Sequence, residues 1–94
     1  MNQRQQQQAG RLTRRDAAIL EGLLEADGKV DPAWFLQRMP QGASRGALRG
    51  RRNRLVARGL VDRINTHYFG NTGWRYWITD AGIEALERHY DAAA

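Results

Sequence analysis

From Thr13 onward, apolar residues recur along the chain with two different periods. Ile19, Leu20, Leu23 and Leu24 fall at helical spacing, with Glu21 and Glu25 on the wet side. Thr13-Arg14-Arg15-Asp16 fits a capping box, and Leu12 and Ala17 are placed for the accompanying hydrophobic staple. Gly28 is the expected stop, and Lys29-Val30 the expected brief extended piece. Asp31-Pro32 then opens a second, short helix through Trp34, Phe35, Leu36 and Met39, closed before Pro40. Gln41-Gly42 reads as a turn. Ser44 caps a third helix that runs to about Arg58 and ends at Gly59. Leu60 to Ile64 and Trp74 to Ile78 alternate as strands. The Gly- and Asn-bearing stretch between them, His67 to Gly73, suits a hairpin tip. Thr79 and Asp80 start a fourth helix with Ile83, Leu86 and Tyr90 on one face.

The expected fold is therefore mainly α with a small β-hairpin, an α+β arrangement. Its order is helix, brief extended piece, helix, turn, helix, two strands, helix. A short glycine-bearing turn joins helices two and three, as a helix-turn-helix requires, and the hairpin follows directly as a wing. One domain accounts for the 94 residues. Residues 1–11 read as a disordered Gln-rich arm, 12–91 as the winged helix-turn-helix domain and 92–94 as a tail.

Charge changes the picture most. Lys and Arg number 15 against 10 Asp and Glu, a net of +5. All the basic residues except Lys29 are arginine, whose planar fork matches phosphate oxygens and guanine edges. The charge is also segregated. Residues 38–63 hold eight Arg and one Asp, net +7, whereas residues 16–37 hold five acids and one Lys, net −4. The positive half contains the third helix, which points to an acidic partner bound there.

On that helix Leu48 and Leu55 form the buried stripe. Arg45, Arg49 and Asn53 follow at every fourth position on the adjoining exposed side, with Gly46 and Gly50 close by. Each interior glycine costs about 1 kcal/mol relative to alanine. A bare backbone at Gly46 and Gly50 would let the helix sit deep in a major groove. Arg45 and Arg49 would then take guanine O6 and N7, and Asn53 an adenine edge or a phosphate. The alternative is a solvated arginine face, with the glycines marking a close helix contact within the fold. Ser44 starts this surface, Arg52 and Arg54 are assigned to phosphates, and Arg58 to structure. Arg51 is left open between core edge and ligand. In the wing, Asn71, Thr72 and Arg75 are the candidates. Tyr68 and Phe69 are expected to close the core beneath the wing, and Trp34 to be core. Of Trp74 and Trp77, at least one should be partly exposed.

Three stretches resemble the winged helix-turn-helix families of prokaryotic regulators related to MarR and PadR. Asp16-Ala17-Ala18-Ile19-Leu20-Glu21-Gly22-Leu23 is similar to their opening helix. Arg54-Leu55-Val56-Ala57-Arg58-Gly59-Leu60-Val61-Asp62-Arg63 resembles their passage from recognition helix into wing. Arg75-Tyr76-Trp77-Ile78-Thr79-Asp80-Ala81-Gly82 looks like the return strand and the following Leu-Thr-x-x-Gly turn, with Ile78 where Leu is usual. Arg51 and Arg52 depart from the pattern, since those positions are often apolar. The resemblance spans residues 13 to about 90 and implies DNA binding through helix 44–58 in the major groove. The wing, 65–75, would lie on the flanking backbone or minor groove.

Other chemistries find little support. Without cysteine there is no disulfide, thiolate nucleophile or cysteine-ligated metal. His67 and His89 lie in different elements and lack a metal-ligand partner. Ser44 has no adjacent histidine, and Gly70-Asn71-Thr72-Gly73 has no following Lys-Ser/Thr, so neither a hydrolytic triad nor a P-loop is present. The expectation is a non-enzymatic protein without cofactor or metal, cytoplasmic and on the nucleoid, with no membrane contact. Its partner would be double-stranded DNA, its role that of a small transcriptional repressor or regulator. An architectural DNA-bending factor and a module docking an acidic protein are the rival readings. Monomer or homodimer, and any small-molecule effector, are left open.

Overall fold

The computed structural model describes residues 11–38, 44–66 and 73–93. Its elements are α1 (Arg14–Ala26), α2 (Pro32–Gln37), α3 (Arg45–Ala57), β1 (Val61–Asn65), β2 (Trp74–Ile78) and α4 (Asp80–Ala93). The chain is thus mainly helical with a two-stranded antiparallel sheet. Residues 1–10, the second-helix end at Met39, the turn at 40–43 and the hairpin tip with Tyr68 and Phe69 lie outside the described residues.

Each helix begins where a short polar side chain satisfies a backbone N–H that the helix itself leaves unpaired. Thr13 Oγ1 accepts from the Asp16 N–H at 3.0 Å, Asp31 Oδ1 from Trp34 at 3.1 Å and Ser44 Oγ from Ala47 at 3.0 Å. Thr79 Oγ1 accepts from Gly82 at 3.0 Å and donates to the Gly59 carbonyl at 2.6 Å, so it caps α4 and ties it to the end of α3. That end is a Schellman motif. Gly59 adopts φ +76°, its N–H donates to Val56 and the Leu60 N–H donates to Leu55, 3.0 Å each.

Two boundaries differ from the sequence expectation. The left-handed residue that ends α1 is Asp27 (φ 49°), one position before Gly28, and its N–H donates to Leu24. Aspartate tolerates this conformation better than most residues, because its short polar side chain bonds locally. The extended piece at Lys29-Val30 is not a third strand. It shrinks to a single bridge in which Val30 and Tyr76 exchange both backbone hydrogen bonds, at 2.9 and 2.8 Å. The ladder cannot continue, because Asp31 turns away to cap α2 and Pro32 has no N–H to give.

In the sheet Val61 pairs with Ile78, Arg63 with Tyr76 and Asn65 with Trp74 on one face. Asp62 opposite Trp77 and Ile64 opposite Arg75 share the other face. The first face closes the core, in which Leu20, Leu23, Phe35, Leu55, Val61 and Tyr76 are fully buried. Trp34 sits edge-on to Phe35 at 5.1 Å, and Phe35 edge-on to Tyr76 at 5.2 Å, the favoured arrangement for aromatic rings. Trp34 is only half-buried, as are both Trp74 and Trp77.

Arg51 is resolved by an ion pair. Its Nη1 donates to Asp16 at 2.9 Å and to Thr13 Oγ1 at 3.1 Å, clamping α3 to the start of α1. Asp16 is buried and takes no other side-chain partner among the described residues. Midway along α1, the exposed Tyr90 hydroxyl donates to Glu21, which holds the phenol above its ordinary pKa.

Two stability outcomes follow. Arg51→Ala strands a buried carboxylate and should lower unfolding free energy by about 2–3 kcal/mol. A urea titration reads this, and a loss near zero would contradict the clamp. Gly82→Ala places a Cβ 2.2 Å from the Leu60 carbonyl oxygen, so backbone must move. The expected loss is about 1–3 kcal/mol in the same titration.

Candidate nucleic-acid interface

The surface of α3 is built by subtraction. Leu55 is buried and Leu48 half-buried, which turns that side of the helix inward as the spacing predicted. Arg45, Arg49, Asn53 and Arg54 are left exposed. At about 1.5 Å of rise per residue, Arg45 to Asn53 spans about 12 Å of helix, the length of three to four stacked base pairs.

The glycines distinguish this surface from an ordinary solvated one. A Cβ at Gly46 or at Gly50 would meet nothing within 4 Å among the described residues. Gly22 behaves differently, since its missing Cβ makes room for the Trp34 ring at 3.0 Å. A close contact inside the fold therefore explains Gly22 and not Gly46 or Gly50. The helix carries two residues that disfavour it with no packing return from its own described neighbours.

The arginines divide by what holds them. Arg51 is committed to Asp16, and Arg58 Nη1 donates to the Arg11 carbonyl at 3.3 Å, the structural role expected of it. Arg45, Arg49 and Arg54 have no hydrogen-bond acceptor or carboxylate partner among the described residues. Arg52 is half-buried, its guanidinium 4.9 Å from the Tyr76 ring centroid and 5.9 Å from that of Phe35. Its Nε is buried without an acceptor. Ser44, at the start of this surface, is exposed and spends its hydroxyl on the cap.

The wing candidates do not join the set in the same way. Arg75 pairs with Ile64 on the sheet face opposite Tyr76, and its Nη1 donates to the Trp74 carbonyl at 2.9 Å. The structure therefore does not bring Arg75 beside the α3 residues, because alternation along β2 sends it away from the face Arg52 reaches. Asn71 and Thr72 lie outside the described residues. Arg63, not among the site residues expected from sequence, is exposed on the Tyr76 face with its guanidinium 4.8 Å from the Trp74 ring. The signal available was parity: Arg63 and Trp74 are diagonal neighbours on one face once the register is known.

A separate concavity of about 370 Å³ lies between α1 and the α2–α3 pair, with Ile19, Trp34, Phe35 and Leu48 on its floor and Arg15, Glu25 and Arg38 at its rim. No ligand chemistry follows from its mixed rim. Among the described residues no cluster of three or more His, Cys, Asp or Glu could hold a metal ion, and no helix is long and apolar enough to cross a membrane. No protein-family model matches the chain, and no curated protein is detectably similar to it.

If the glycines serve nothing inside the fold, alanine should be better there. Gly46→Ala and Gly50→Ala should each raise stability by up to about 1 kcal/mol. For a domain this small that is a rise of about 4–8 °C in unfolding midpoint. A fall in either midpoint on a calorimetric scan would mean the glycines are needed for folding.

Proposed function

We propose that the chain is a winged helix-turn-helix protein that binds double-stranded DNA sequence-specifically and acts as a small transcriptional regulator. The observation that carries this reading is the open glycine face of α3, flanked by Arg45, Arg49 and Asn53 and empty of intramolecular contacts among the described residues. The order of three helices, a hairpin and a fourth helix supports it, as does the +7 charge of residues 38–63.

The mechanism follows from groove chemistry. With α3 in the major groove, the absence of Cβ atoms at Gly46 and Gly50 lets its backbone approach the base edges closely. Arg45 and Arg49 reach guanine O6 and N7 in bidentate pairs, which no other base offers in that arrangement. Asn53 takes an adenine edge or a phosphate. Arg54 and Arg52 pair with backbone phosphates and set the depth and register of the helix without reading sequence. The hairpin lies along the flanking backbone. With five to seven phosphates engaged, log affinity should fall with log salt at a slope of about −4.5 to −6.

Selection of binding sites from a random duplex library tests the reading. Enrichment of a short guanine-containing motif is expected. Arg49→Ala should lose about 1–3 kcal/mol on that motif and relax preference at one position. Retention without enrichment, accompanied by bending, would favour an architectural role. No retention at moderate salt, with the fold intact, would transfer the arginine surface to an acidic protein partner.

A further inference from the structure

Three arginines ride on aromatic rings: Arg38 lies over Trp34 at 4.0 Å, beside the separate concavity, while Arg52 and Arg63 share one face of the sheet. On the inner face of β2, Trp74 and Tyr76 stack at 6.5 Å between centroids, their planes 29° apart. Arg52 reaches the Tyr76 ring from α3, at 4.9 Å, and Arg63 reaches the Trp74 ring from β1, at 4.8 Å. Two guanidinium groups from different elements thus ride on one aromatic shelf, at the seam between α3 and the hairpin.

Neither has an anionic partner. Among the described residues no carboxylate pairs with Arg52 or Arg63, and the Arg52 Nε is buried with no acceptor at all. The contrast with Arg51 on Asp16, Arg58 on the Arg11 carbonyl and Arg75 on the Trp74 carbonyl is direct. A ring face attracts the cation and holds the guanidinium in place but supplies no hydrogen-bond acceptor to its N–H groups. An arginine fixed in this way keeps its fork for a ligand with several acceptor oxygens and has already given up much of its rotamer freedom.

We infer that Arg52 and Arg63 form a two-armed phosphate clamp, positioned by Tyr76 and Trp74, that grips the sugar-phosphate backbone of one DNA strand beside the groove entered by α3. The inference rests on the DNA-binding reading and adds to it a residue, Arg63, and a pair of positioning residues. It assigns backbone contact to the base of the hairpin, on the inner face, in place of Arg75 on the outer one. Because phosphates are the same at every step, the clamp contributes affinity and register without sequence preference.

The test is the affinity of the full chain for one defined duplex of arbitrary sequence, measured across a salt series. Arg63→Ala should flatten the log–log slope by about 0.9, one phosphate's worth of released counterion. Arg88→Ala removes the same charge from an exposed position on α4 and should leave the slope unchanged. Arg63→Lys keeps the cation but loses the planar fork, and Trp74→Leu keeps the cation but removes the ring beneath it, so each should weaken binding several-fold with little change in slope. Because Arg63 is exposed, its variants should keep the parental unfolding midpoint. If Arg63→Ala and Arg88→Ala behave alike while the parent still binds, the clamp is wrong and the DNA reading stands. If Trp74→Leu binds as the parent does, the aromatic seat is wrong. If the folded parent binds no duplex, the DNA reading fails and the clamp fails with it.

Discussion

Tyr76 is the residue on which the molecule converges. It lies fully buried on the inner face of β2, with its backbone bonded to Val30 in both directions and its ring against the edge of Phe35. Through Val30 it fixes where the chain leaves α1 and turns into α2. Through Phe35 it seats α2, and through Arg52 it meets α3. A hairpin this short has little independent stability in water, so the sheet exists because its inner face is packed against helices at this point. The direction in which α3 presents its outer surface is a consequence of the same contact. Rotating the helix would pull Leu55 from the core and Arg52 from the ring together.

Short-range chemistry was the legible part of the sequence. Thr13, Asp31, Ser44 and Thr79 each sit three residues before the N–H they accept from, so the four caps are written in local spacing. The stop at Gly59 is equally local, because the glycine supplies the positive φ that the Schellman turn needs. The stop of α1 was misplaced by one residue, since aspartate and glycine stand side by side and local rules permit either. The extended piece at Lys29-Val30 is cut to one bridge for a related reason. Val30 does pair with Tyr76, but across 46 positions, and the cap and proline that follow cut the ladder after one residue.

Long-range partners were the illegible part. Arg51 and Asp16 are 35 residues apart, and no periodicity connects them. The sequence could show that Gly46 and Gly50 burden the helix, yet only the fold reveals whether a neighbour fills the space. Arg75 joins the wing candidates through its likeness to a basic position near the return strand of similar domains, and only the register shows that it lies on the outer face. Seating an arginine on a ring needs the register of the hairpin and the packing of α3 together. Hence neither Arg52 on Tyr76 nor Arg63 on Trp74 could be read in advance.

The structure thus sorts one abundant residue type by what holds each side chain, and besides those seated on rings two groups stand apart. Arg51 and Arg58 hold the fold together, while Arg45, Arg49 and Arg54 are exposed with no acceptor among the described residues and two bare glycines beside them. No packing contact among the described residues accounts for those glycines, whereas the proposed groove contact would. The most direct measurement is the duplex affinity of the Gly46→Ala/Gly50→Ala double variant, taken on the motif selected by the parent. The account predicts weaker binding by a chain that is itself more stable, because two methyl groups now hold the helix off the base edges. Undiminished affinity in the stabilised variant would contradict it and remove the major-groove placement of α3.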